Sequence, residues 1–258
     1  MSASLLRRSA GLALLALTAA CGDTLYGNDD NNEAPLPPST TVVASGDLTA
    51  KLAELRALLG EPNNAGTAGQ QASGRREINW DGVNAPNLNT NTFPNDGFRA
   101  RGLIMQSTGT GLRVSDNDFG DINALYDADF EDFSPAKTFA SVGSNAMDLT
   151  FRVAGDTTQL ANVRGFGVIF SDVDVANSSF VEAYDVTGRL IAKVAAPVRS
   201  DAKGHSLVGV AFASPLVARI RIISGQGSLG AASKDITDGG TVDLVVLDDF
   251  FFSEPNKR

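Results

Sequence analysis

From residue 76 onward the chain is written in short segments whose apolar and polar side chains alternate, and Gly, Asn, Asp or Ser breaks each one before it reaches helical length. A period of two sends successive side chains to opposite faces of an extended strand, which a helix cannot match. The pattern predicts strands at 103–108, 112–115, 138–142, 147–153, 163–171, 180–186, 190–195, 206–212, 217–224 and 242–252. Thr187-Gly188-Arg189 joins two of them as a tight hairpin. Val217-Ala218-Arg219-Ile220-Arg221-Ile222 alternates without a break and sets both arginines on one face. No helical stretch separates these strands, which excludes the strand-helix alternation of parallel α/β folds. The expected fold is all-β: an antiparallel β-sandwich, jelly-roll-like, over residues 76–254.

Ahead of it, residues 47–75 read as a helix and a loop. Asp47 caps a predicted helix at 48–59, with Leu48, Leu52, Leu55, Leu58 and Leu59 on one stripe and Gly60 as the stop. An isolated helix of that length is marginal in water, so it is expected to dock on the sandwich. Residues 21–46 are rich in Asn, Asp, Pro, Ser and Thr and read as a flexible tether. Within it, 29–33 is an acidic run that reads as solvated, with a calcium ligand set as the other option.

Residues 1–20 carry Arg7 and Arg8, then an apolar run from Gly11 to Leu17, then Thr18, Ala19 and Ala20. That order is a secretory signal whose apolar run is too short to span a bilayer. It ends on Cys21, the one cysteine of the chain. This boundary resembles the bacterial lipobox, with Thr18 where Leu is usual, and the resemblance implies lipidation of Cys21 and anchoring in the membrane. An ordinary signal peptide with a stray cysteine is the alternative. Gly22 directly after the cysteine, in place of the Asp that retains lipoproteins at the inner membrane, implies the cell envelope and, in a Gram-negative cell, the outer membrane.

The whole chain has 258 residues and a net charge of −9; without Arg7 and Arg8, 19 basic residues face 30 acidic ones, for −11. So acidic a surface excludes nucleic acid as a partner. A hydrophobic content of 43% is enough to build a core.

Four segments occur in order: Arg75-Arg76-Glu77-Ile78-Asn79-Trp80-Asp81-Gly82-Val83, Ser141-Val142-Gly143-Ser144-Asn145, Gly165-Phe166-Gly167-Val168-Ile169-Phe170-Ser171-Asp172-Val173-Asp174 and Leu247-Asp248-Asp249-Phe250. Together they resemble a family of exported bacterial proteins, over roughly residues 48–254. More loosely, the Asp-Asp-Phe ending of the last strand is similar to jelly rolls of the carbohydrate-binding-module type. The resemblance implies export and a sandwich; it implies no activity.

One His and one Cys exclude multi-histidine and cysteine metal sites. His205 opens a strand, and no Gly-x-Ser-x-Gly elbow accompanies it, so it reads as an edge histidine. A hydrolase of the glycosidase kind needs two carboxylates. Glu77 and Glu182 are the candidates among seven Glu, and no spacing pairs them. The excess of Asp suits calcium, which takes six to eight oxygen ligands. Asp172 and Asp174 share a face at a strand end. Asp248 and Asp249 are expected on opposite faces, one of them inward, where it needs a cation or firm hydrogen bonds. The expectation is that all four converge on calcium if the last strand pairs beside 163–171; pairing with Arg219 or Arg221 is the alternative. Asp116-Asn117-Asp118-Phe119-Gly120-Asp121 lacks the Gly and Glu of an EF-hand and reads as an acidic loop, or as a weaker second calcium site. Trp80 is the one tryptophan, either a sugar-stacking platform or a buried anchor. The functional expectation is a non-catalytic, membrane-anchored binding module for a glycan or protein partner, with an acidic-residue hydrolase as the alternative.

Overall fold

Fourteen strands carry the fold among the residues described by the computed structural model, which are 34–199, 201 and 203–258. The expected signal, Cys21 and residues 21–33 lie outside the described residues. The strands are β1 (Ser39–Ser45), β2 (Arg75–Ile78), β3 (Leu103–Ser107), β4 (Gly111–Ser115), β5 (Thr138–Val142), β6 (Ala146–Val153), β7 (Asp156–Asn162), β8 (Gly165–Ser171), β9 (Phe180–Tyr184), β10 (Leu190–Ala195), β11 (His205–Phe212), β12 (Arg219–Ile223), β13 (Val246–Ser253) and β14 (Asn256–Lys257). One sheet runs β1-β11-β8-β13-β5-β4, with β2 also on β13. The other runs β10-β9-β12-β6-β7-β14, with β3 also on β6. The registered strand pairs are antiparallel. The fold is therefore all-β and sandwich-like, as the sequence predicts.

Alternation explains the core. Phe166, Val168 and Phe170 of β8, Val208 and Val210 of β11, and Phe250 and Phe252 of β13 meet Leu149 and Phe151 of β6, Val181 of β9 and Ile220 of β12 between the sheets. The intervening residues Ile169, Leu207 and Phe251 face outward from the first sheet. There α1 (Thr49–Leu59) covers them with Leu52, Leu55 and Leu59. The Asp47 carboxylate accepts from the Thr49 N–H at 3.0 Å, and Gly60 ends the helix at φ +113°. Glycines make room for the helix: a Cβ on Gly167 would lie 2.4 Å from Leu55 Cδ2, and one on Gly209 2.6 Å from Leu55 Cδ1. Close packing against Leu55 is thus the reason for Gly167. A second outer cluster, Phe119, Tyr126 and Phe130, covers Ala140 and Val246 with the help of α2 (Tyr126–Asp129).

Three expectations change. The expected tether ends in a strand: Ser39–Ser45 pairs with β11 in register from Ser39↔Phe212 to Ser45↔Ser206. Only Val42 of that strand is buried, so it has no apolar alternation to read. β7 is similarly polar and escapes prediction for the same reason. Trp80 is 1% exposed, so it is not a sugar platform. It stacks on Phe139 with ring centroids 3.9 Å apart, meets Phe98 and Phe250 edge-on, and donates from Nε1 to the Asp248 carbonyl at 3.0 Å.

The loop after α1 is fixed by a buried ion pair. Arg76 donates twice to Glu254, at 2.9 and 2.7 Å, and reaches the carbonyls of Ala65, Thr67 and Gly69 with its remaining N–H groups. The three carbonyl bonds span sheet and loop, so opening the loop strips three acceptors from a buried guanidinium.

Candidate metal centre

β8 ends at Ser171, and the backbone turns at Asp172, whose φ is +70°. Asp and Asn tolerate this left-handed region better than most residues. The turn directs the Asp172 and Asp174 carboxylates to one place, where Asp235 joins them from the loop ahead of β13. One oxygen from each of the three lies within 4.8 Å of the others. Asp235 is held rigidly: Oδ2 accepts from the N–H and hydroxyl of Thr237, each at 2.7 Å, and Oδ1 accepts from the Leu244 N–H at 2.7 Å. Asp243 fastens the 174–178 turn from beneath by accepting from the Asp174 and Val175 N–H groups at 3.3 and 3.1 Å and from the Ser178 hydroxyl.

Asp172 is fully buried, and neither of its carboxylate oxygens has a hydrogen-bond partner; both Asp174 oxygens are also buried and unpartnered. Among the described residues, no Lys or Arg forms an ion pair with Asp172, Asp174 or Asp235. Burial, then the neighbouring Asp174 charge, pushes the Asp172 carboxyl up to about 9. Burial and Asp235 push Asp174 up to about 6. Buried carboxylates without donors are costly, and they are stable only when protonated or when a cation sits between them. The triad can hold a metal ion. With oxygen donors alone, it suits a hard cation and not zinc.

The sequence places two of these three ligands and misses Asp235. The missed signal is the Asx-turn pattern Asp235-Ile236-Thr237 inside a loop dense in Asp. Asp248 and Asp249 do not join the triad, although β13 pairs with β8 as expected. Their register slips between Leu247 and Phe250, so a bulge adds a residue there and both Leu247 and Phe250 face inward. The bulge also overturns the expectation that the two carboxylates point to opposite faces. Both reach Ser134, whose hydroxyl donates to Asp249 Oδ1 at 2.7 Å, and Asp248 Oδ2 accepts from the Phe133 N–H. Burial and Asp249 push Asp248 up to about 10, and burial pushes Asp249 up to about 6. These two share protons with each other and with the chain and need no metal.

The remaining candidates are spoken for. Arg219 and Arg221 both bind Asp148 in the second sheet, at 2.7 to 3.0 Å, and not the aspartates of the first. Glu77 lies in β2 under Arg56 and Arg75; Glu182 lies in β9 of the other sheet and accepts from the Tyr184 hydroxyl at 2.6 Å. Their guanidinium and hydroxyl partners hold both carboxyls below the usual range despite burial. They belong to different sheets and are not a catalytic pair. His205 faces the Glu131 carbonyl at 3.1 Å and the ring of Phe133. In the 116–121 loop, Asp116 accepts from Asn89, Asp118 from Thr138 and Asp121 from Arg113, so these carboxylates tie the loop to its neighbours.

No family model matches the chain, and no curated protein matches it. Among solved structures, the enzymatically active domain of tailspike protein 4 of bacteriophage CBA120 is similar over 65% of this chain and 21% of that one, at 14% identity and a TM-score of 0.29. So slight a likeness carries nothing about activity to this chain.

Proposed function

We propose that the protein is a lipid-anchored, non-catalytic β-sandwich of the bacterial cell envelope, closed at one end by calcium, that offers its surface to a glycan or protein partner. The observation that carries the cation is the Asp172 carboxylate, fully buried without a single donor. Calcium is favoured over magnesium because the ligands are dedicated protein oxygens in a buried pocket; magnesium dehydrates reluctantly and keeps several waters. The anchor rests on the sequence, where a basic, apolar and small-residue signal ends on Cys21. Calorimetric titration of chelator-treated protein should show calcium binding that magnesium at equal concentration does not match, and Asp172→Asn should abolish it. Absence of calcium heat refutes the cation. Cys21→Ser should move the protein from the membrane to the soluble fraction, and its retention in the membrane refutes the anchor.

A further inference from the structure

Arg164 lies between β7 and β8 on a fixed backbone: its N–H donates to Ser253 Oγ at 2.8 Å, and its carbonyl accepts from the Phe212 N–H at 2.7 Å. The guanidinium stands at the C-terminal end of α1, where Nη2 is 3.0 Å from the place a Cβ on Gly60 would take. Its Nε is buried without a hydrogen-bond partner, and the side chain forms no ion pair among the described residues. In a chain with 30 acidic and 21 basic residues, a guanidinium that no carboxylate meets is unexpected. The helix end offers it only about half an elementary charge.

Arg164 and Gly60 line a cavity of about 400 Å³. The two acidic residues of its wall are already balanced. Glu254 is paired with Arg76 at 2.7 Å and Glu61 with Arg75 at 2.5 Å, while Glu77, the other partner of Arg75, is also held by Arg56. Among the described residues, the uncompensated charge of this wall is therefore the positive one. Leu59 and Pro215 give the wall apolar faces, and Ser73, Gln71 and Asn256 give it a hydroxyl and two amides. Such a mixture suits a sugar ring, and a guanidinium donates in parallel to both oxygens of a carboxylate. A second hollow of about 370 Å³ shares Arg164 and Ala213 with the first, and its described wall holds no other charged residue. An acidic side chain of a protein would fill little of either hollow. We infer that Arg164 anchors a site for an acidic glycan, with the carboxylate of a sugar acid on the guanidinium and the adjoining sugar in the second hollow. This rests on the reading of a glycan partner above and adds its charge and its place on the molecule.

The experiment is saturation-transfer NMR on the calcium-loaded, detergent-solubilised full chain with glucuronate and galacturonate, against glucose, galactose, acetate and inorganic phosphate. A sugar acid should bind, its neutral counterpart should not at the same concentration, and acetate and phosphate should bind more weakly than the sugar acid. Arg164→Gln should weaken the sugar acid about tenfold or more, as expected for the loss of a charge-assisted hydrogen bond. Should Arg164→Gln not fold, Ser73→Glu, at an exposed position of the same wall, supplies a competing carboxylate and should weaken binding likewise. Equal binding of acidic and neutral sugars overturns the charge assignment and leaves a glycan partner. Undiminished binding in both variants overturns the site. Acetate or phosphate binding as well as the sugar acids overturns the sugar and leaves an adventitious ion only. Binding of no sugar overturns this inference, whereas the cation and the anchor of the reading above stand or fall on calcium heat and membrane retention.

Discussion

Replacing Asp172 by Asn separates a metal ligand from a structural aspartate, because the two roles give opposite signs. Asn keeps the shape of the side chain and tolerates the φ of +70°, so the backbone is not the cause of any change. In chelator, the wild-type carboxyl is fully buried and its folded pKa lies at about 9, against an ordinary value of 3.8. The folded protein therefore holds a proton that the unfolded chain releases over most of that interval, and stability falls as pH rises from about 4 towards 9. At pH 7 this costs about 4 kcal/mol, from about 1.4 kcal/mol per pH unit over the interval above 3.8. Asn escapes that cost, so Asp172→Asn should melt higher than wild type in chelator at pH 7, and the gap should close at pH 4. Calcium narrows that gap. An ion at 100 times its dissociation constant stabilises wild type by about 2.7 kcal/mol, which for a domain of this size is about 5 to 11 °C in Tm; the variant should show none of it. The assay is differential scanning calorimetry of both proteins in calcium and in chelator, at pH 4 and 7. If Asn lowers Tm equally in calcium and chelator, Asp172 is a structural residue and the reasoning fails.

Other consequences concern the frame that carries the site. Glu254→Ala leaves Arg76 buried without its carboxylate, and should cost about 3 to 5 kcal/mol in urea unfolding while exposing the 60–74 loop to proteolysis; a cost below 1 kcal/mol would refute the role given to the pair. Gly167→Ala should destabilise by about 1 to 3 kcal/mol because its Cβ meets Leu55, and Leu55→Ala alone by about 2 to 5 kcal/mol through the cavity it leaves. The double variant should cost clearly less than the two single changes together, and strict additivity in urea melts would show that the two residues are not in contact. Ser134→Ala removes a donor to Asp249, which should raise the Asp249 pKa above about 6; titration of the carboxyl by isotope-edited NMR reads the direction, and a downward shift contradicts the assignment.

The sequence by itself determined the all-β class and most of the sheet order's raw material, because burial of one strand face leaves a period-two record. Strand 138–142 is found at its expected bounds, the 180–195 hairpin is where Gly188 allows it, and the leucine stripe of 48–59 docks as a helix must at that length. Where a strand buries little, the record is blank: β1 and β7 exist because their backbones pair with β11 and β6, not because their side chains alternate. The triad shows the same division. Asp172 and Asp174 are legible because they are neighbours in the chain, but Asp235 is 61 residues beyond Asp174 and joins them only when loops at the end of the sandwich close. Asp248 and Asp249 fail in the other direction. Two adjacent strand residues should diverge, and only a bulge, which is a property of pairing between β13 and β8, turns both toward Ser134. Local periodicity is written in the sequence because each residue senses its own neighbours; register, bulges and the meeting of distant carboxylates depend on partners brought by the fold, and those only the tertiary structure decides.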